Sequence, residues 1–107
     1  MVEIITTTAF EVPDKKTVKV LGVAKGNTIR ARNIGRDIGA GLKNIVGGEI
    51  KSYTQMTTQA REEAFNRMVN EAIEMKADAI IGIRFSTSMI MQGAAEMLAY
   101  GTAVKLK

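Results

Sequence analysis

Seven residues, Tyr53, Met56, Ala60, Ala64, Met68, Ala72 and Met75, recur at spacings of three and four, which places them on one stripe of a single long α-helix. Phe65, Val69 and Ile73 widen the stripe. Ser52 followed by Gln55 matches a capping box, and on the polar side Glu63 with Arg67 and Arg67 with Glu71 stand four apart. A helix with one apolar face buries that face, and the residues around it are built for a sheet. Beyond Asp78 the period falls to two: Ile81, Ile83, Phe85, Met89 and Met91 alternate with Gly82, Arg84, Ser86 and Ser88. Gln92-Gly93 follows as a hairpin turn. The last strand then sends Leu98, Tyr100, Thr102, Val104 and Leu106 to one face and Ala95, Met97, Ala99, Gly101 and Ala103 to the other.

Ahead of the helix, residues 2–8 and Val18–Val23 are strand-like, separated by a loop carrying Pro13. Gly26-Asn27 reads as a turn before a third extended piece, Thr28–Arg32. From Asn33, an N-cap residue, Ile34, Ile38, Leu42 and Ile45 take up a helical period that stops at Gly47-Gly48. Gly35, Gly39 and Gly41 weaken that short helix by about 1 kcal/mol each, so it needs close packing against another backbone. The chain has 107 residues, 46% of them hydrophobic, which suits one domain with one two-layer core. The class is α+β, with one long helix over a sheet. The face of the last strand made of alanine and glycine carries so little charge that a second copy of the chain is expected against it.

Composition narrows the chemistry. There is no cysteine, histidine or tryptophan, hence no thiolate nucleophile, no imidazole base and no Cys/His metal cluster. No enzymatic activity is expected. The N-terminal MVEIITTTAF lacks the charge and apolar run of a signal peptide, and no stretch is long enough to span a bilayer, so a cytoplasmic location is expected. The net charge of +4 is unevenly spread: Lys15 to Lys51 holds nine basic residues against Asp37 and Glu49, whereas Glu62 to Asp78 holds five acids against Arg67 and Lys76. Such polarity favours head-to-tail contact between copies. Nucleic acid is not expected, because aromatic residues form only 5% of the chain and offer no stacking platform.

Two sets of side chains are candidate ligands. Arg30, Arg32, Arg36 and Lys43 form the sharpest basic constellation, able to converge on a carboxylate or phosphate, or else to form ion pairs. Gly39-Ala40-Gly41 beside them departs from a dinucleotide fingerprint, because Asn44 stands where the third glycine belongs. Among the carboxylates, Glu96 shares the parity of Leu98 and Tyr100, so a partner such as Arg84 or Arg61 is expected for it. The methionines fall on apolar faces, Met89 and Met91 included, as core methionines do.

The run ARNIGRDIGAGLKNIVGGE at 31–49, with YT at 53–54, AREEA at 60–64, GIRF at 82–85 and AAE through AYGTAV at 94–104, resembles the YbjQ-like family of small bacterial and archaeal proteins. The resemblance implies a β-α-β-β subunit similar to that of dodecin, an antiparallel sheet under one long helix. It also implies extra strands that assist assembly into a ring of five, so the partner expected is the chain itself. The family carries a heavy-metal-binding label, and its motifs place Asp37, Glu49, Glu62, Glu63 and Glu96 as oxygen donors for a metal ion. No thiolate or imidazole is present for the soft ions of that label. Two functions remain open: a ring that binds a metal ion or small anion at its subunit junctions, and an assembly module without ligand chemistry.

Overall fold

A computed structural model describes the backbone of residues 3–31, 45–46 and 49–107, and the side chains of 3–30 and 54–107. In chain order the elements are β1 (Ile5–Thr6), β2 (Thr17–Ala31), β3 (Ile45–Val46), β4 (Glu49–Ile50), α1 (Lys51–Glu74), β5 (Ala79–Met91) and β6 (Ala94–Leu106). One sheet has the order β1-β5-β6-β2, and β3 and β4 form a separate antiparallel pair. The expected α+β class and helix-covered antiparallel sheet hold: β2, β6 and β5 are antiparallel neighbours beneath α1. The short β1 adds to the outside of β5 in parallel, which makes the sheet mixed.

Several expectations are corrected. Residues Thr17–Ala31 are one continuous strand, with Gly26 paired to Ala99 and Asn27 to Leu98, so no turn falls at 26–27. Gly26 serves proximity instead. A Cβ built there would collide with Met68 N and Ala64 O and lie 2.7 Å from the carbonyl carbon of Arg67. The backbone of α1 therefore rests on the backbone of β2. The expected glycine-bearing helix from Asn33 lies outside the described residues except at its end, where Ile45–Val46 forms a strand with Glu49–Ile50.

The alanine face of β6 is covered by the chain's own helix, and no second copy is needed there. Ala99 and Ala103 are buried with Ala24 on β2 against Ala64, Met68 and Ala72 on α1. The helical stripe is thus confirmed from Ala60 to Ala72, all of it buried at 60, 64, 68 and 72. Small residues are required on both sides because the two backbones approach so closely. Gly101 makes room for Ile80 and Ile83, whose side chains would meet a Cβ there at 2.6 Å and 3.1 Å.

Strict alternation fails along β5. The register moves from Ile81↔Thr102 to Arg84↔Tyr100, and Gly82 takes φ +62° within this bulge. Ile80 and Ile83 consequently join the core beneath α1, while Ile81 packs on the opposite face with Ala79, Val104 and Val12. A bulge inserts one residue and resets parity, which no count of twos reveals. Past it, Met89 and Met91 are 78% and 65% exposed, so they are not core methionines. The two-residue turn Gln92-Gly93 does form, closed by Met91↔Ala94 with Gly93 at φ +80°.

The helix ends without a glycine. Lys76 adopts φ +64°, its amide donates to the Ile73 carbonyl, and the Ala77 amide donates to the Ala72 carbonyl. That is a Schellman cap, with Ala72 and Ala77 in the same buried cluster.

The backbone contact at Gly26 yields a test. Gly26→Ala should lower stability by about 3 kcal/mol, the upper part of the range for overpacking, because both colliding groups are backbone and cannot rotate away. Ala24→Gly, two residues along the same strand, should cost about 1 kcal/mol. Urea unfolding of the two variants makes the comparison.

Candidate functional site

The helix lies mainly over β2 and β6; it meets β5 through Ile80 and Ile83 at the start of that strand and, farther along, through one aromatic contact. Phe65 of α1 and Phe85 of β5 stack with centroids 6.4 Å apart and an interplanar angle of 19°. Between this flank of α1 and β5 runs an open groove of about 420 Å³ lined by Thr58, Arg61, Glu62, Phe65, Asn66 and Phe85. Its floor is aromatic and its rim is polar. Phe85 remains 46% exposed, because the offset of the helix leaves β5 uncovered beyond Ile83.

The arginines differ in how far their charge is already used. Arg30 forms an ion pair with Glu63, and Arg67 Nη2 donates to the other Glu63 oxygen at 2.6 Å. Arg67 Nη1 also donates to the Asn27 carbonyl at 2.6 Å, tying α1 to the outer strand. This replaces the expected pairing of Arg67 with Glu71. Arg84 donates to the carbonyls of Thr8 and Ile83 and stands 5.3 Å from the centre of the Phe10 ring. Among the described residues Arg61 makes a single long contact, Nη2 to Thr58 Oγ1 at 3.4 Å, and it borders the groove.

Of the basic constellation, only Arg30 lies among the described residues, where Glu63 neutralises it; Arg32, Arg36 and Lys43 lie outside them. Its Nε is buried beside a cavity of about 20 Å³ lined in part by Met56, Thr57, Thr87 and Met97, enough for one bridging water. Of the proposed oxygen donors, Glu63 is held between two arginines, and Glu96 accepts from Asn27 Nδ2 at 3.1 Å rather than from Arg84 or Arg61. Glu62 stands on the groove. Asp37 and the Glu49 side chain lie outside the described residues. No three Asp, Glu, His or Cys side chains come together among the described residues. The described donors do not fit a heavy-metal centre: they are hard oxygens, scattered, and partly spent on ion pairs.

A second groove, of about 290 Å³, lies at the start of β5 among Ile5, Lys15, Asp78, Leu106 and Lys107. The Leu106 amide donates to Asp78 Oδ2 at 2.8 Å, and Lys105 Nζ lies 3.5 Å from Oδ1. The Leu106 hydrogen bond, with the Lys105 and Lys15 charges, holds the Asp78 carboxyl below its usual 3.8 despite an opposing desolvation. Asp78 thereby fastens the end of α1 to the sheet.

Comparison with known proteins agrees with the residues. A family model described as "Putative heavy-metal-binding" matches residues 4–107. The chain belongs to the YbjQ-like family, also designated UPF0145. A UPF0145 protein of Archaeoglobus fulgidus is 58% identical over 105 residues, covering 98% of this chain and 97% of the relative. One from Thermotoga maritima is 53% identical over 103 residues, covering 96% and 97%. A crystal structure of a protein of unknown function from the DUF74 family of Pediococcus pentosaceus shares the fold, with TM-score 0.66 and 18% identity over 97% of this chain and 98% of that one. No helix among the described residues is long and apolar enough to cross a membrane.

The groove was not anticipated from the sequence, although a signal was present. Arg61 has Thr57, Thr58, Ala64 and Phe65 at its helical neighbour positions and no acid among them, whereas Arg67 has Glu63 and Glu71.

The depressed carboxyl of Asp78 has a pH signature. Its contribution is present above the unfolded-state value of 3.8 and is lost as pH falls through the lower folded-state value. Asp78→Asn should therefore be less stable than the parent near neutrality, and the two stabilities should converge in acid. Urea midpoints collected between about pH 6 and pH 2 make the comparison; parallel curves would assign Asp78 no linked proton.

Proposed function

We propose that this chain is the subunit of a cytoplasmic, closed head-to-tail ring, five copies as the family resemblance implies, that binds at its subunit junctions and performs no turnover. The observation that carries the reading is a pair of unpaired sheet edges on opposite sides of one subunit. Strand β2 is terminal in the sheet along its whole length. On the other side, residues 5–9 bond to β5 as far as Ile83 and then diverge, which leaves the outer edge from Arg84 to Met91 without a strand partner among the described residues. Open edges of this length are covered in stable proteins, and two unlike edges on one subunit join heterologously.

The offset of α1 supports the same arrangement. Because the helix sits over β2, a copy adding its β2 to the free edge of β5 brings its own helix above the uncovered Phe85 and Met89. The exposed apolar side chains Val20, Val23 and Ile29 on β2 and Met89, Ile90 and Met91 on β5 lie along these two edges. Burial of such patches between copies contributes roughly 25 cal/mol per Å². The junction then encloses the groove beside Arg61, and the sign asymmetry of the sequence favours unlike surfaces in contact.

Val23→Lys and Ile29→Glu place a charge at positions 59% and 56% exposed within the subunit, so the fold should be retained. Light scattering after size-exclusion should move from a multiple of the subunit mass to 11.6 kDa, with unchanged circular dichroism. A parent that already runs at the subunit mass would refute the ring.

A further inference from the structure

We propose that the groove between α1 and β5 is a binding site for a small organic monocarboxylate with a flat apolar body, and that Arg61 is its anchor. The inference deepens the junction-binding reading and rests on it for the groove's enclosure, but every residue it needs belongs to one chain. Three features converge. The groove has the volume of a small-ligand site, about 420 Å³. Its floor is the Phe65–Phe85 pair, with Phe85 exposed enough to accept a flat group. Its rim holds the described arginine whose fork engages neither a carboxylate nor a carbonyl, and whose one contact, to Thr58, is long.

A guanidinium fork pairs with a planar carboxylate through two parallel hydrogen bonds, which fixes the ligand's head. The Thr58 hydroxyl and the Asn66 amide line the same groove and supply further donors. Glu62 selects the charge. Its carboxylate borders the groove and repels any anion, a phosphate dianion about twice as strongly as a monocarboxylate, whereas Arg61 offers one compensating charge. Arg30 and Arg67 do not compete for the ligand, because Glu63 holds both.

Benzoate is the probe, with benzyl alcohol and phenyl phosphate as comparators, titrated into the full chain and followed by amide chemical shifts. Light scattering on the same sample reports the assembly. Benzoate should give saturable shifts around Arg61 and Phe85, with affinity about tenfold above that of either comparator. Arg61→Gln should weaken benzoate about tenfold and leave benzyl alcohol within about twofold, while Phe85→Ala should weaken both. Arg61→Lys, which keeps the charge and loses the fork, should recover only part of the affinity. Equal benzoate affinity in Arg61→Gln, tighter binding of phenyl phosphate, or no saturation up to roughly 10 mM would overturn the proposal. Saturable, Arg61-dependent binding by a chain of monomer mass would retain the site and remove the ring.

Discussion

Everything in this fold hangs on one contact between two backbones, that of α1 at Ala64–Met68 on that of β2 at Gly26. Once the helix is seated there, only small side chains can stand around it, and the sheet supplies them at Ala24, Ala99 and Ala103. The same contact fixes where the helix is not. Seated on the outermost strand, α1 covers β5 only at its start, where Ile80 and Ile83 are buried, and so Phe85 and Met89 are left open farther along the same strand. The groove and the bare far part of β5 are consequences of that offset.

The offset also orders the electrostatics. On the β2 side of α1, Glu63 gathers Arg30 and Arg67, and Arg67 reaches on to the Asn27 carbonyl, so charge is used to hold helix to strand. On the β5 side, Arg61 borders a groove, and its hydrogen-bond partner among the described residues is Thr58. Each pair in the first group is partly exposed and contributes at most about 1 kcal/mol. Its larger effect is to neutralise charges that would otherwise rival Arg61 for an anion.

Much of this was legible in the residues. The long helix carrying the stripe from Tyr53 to Ala72, the turn at Gln92-Gly93 and the paired strands around it follow from period and turn chemistry alone. What was not legible is where periods break or where distant backbones meet. The bulge at Gly82 moved Ile83 and Ile81 to opposite faces, and nothing in an alternating run announces an extra residue. Gly26 resembled a turn because a glycine needed for proximity and one needed for reversal look alike in sequence. The smooth face of β6 was recognised as packed but assigned the wrong occupant, since small residues report closeness and not whose backbone is close. Glu96 and Arg30 had their partners, Asn27 and Glu63, in segments 69 and 33 residues away, beyond the reach of local spacing.

The central claim is that the edges of β2 and β5 are joined between copies, and hydrogen exchange at those edges tests it most directly. Outward-facing amides of Arg84–Met91 and of β2 should exchange slowly at high protein concentration and progressively faster on dilution, while amides between β5 and β6 stay protected throughout. Fast, concentration-independent exchange along both outer edges would mean that the strands end in water and that the ring does not form.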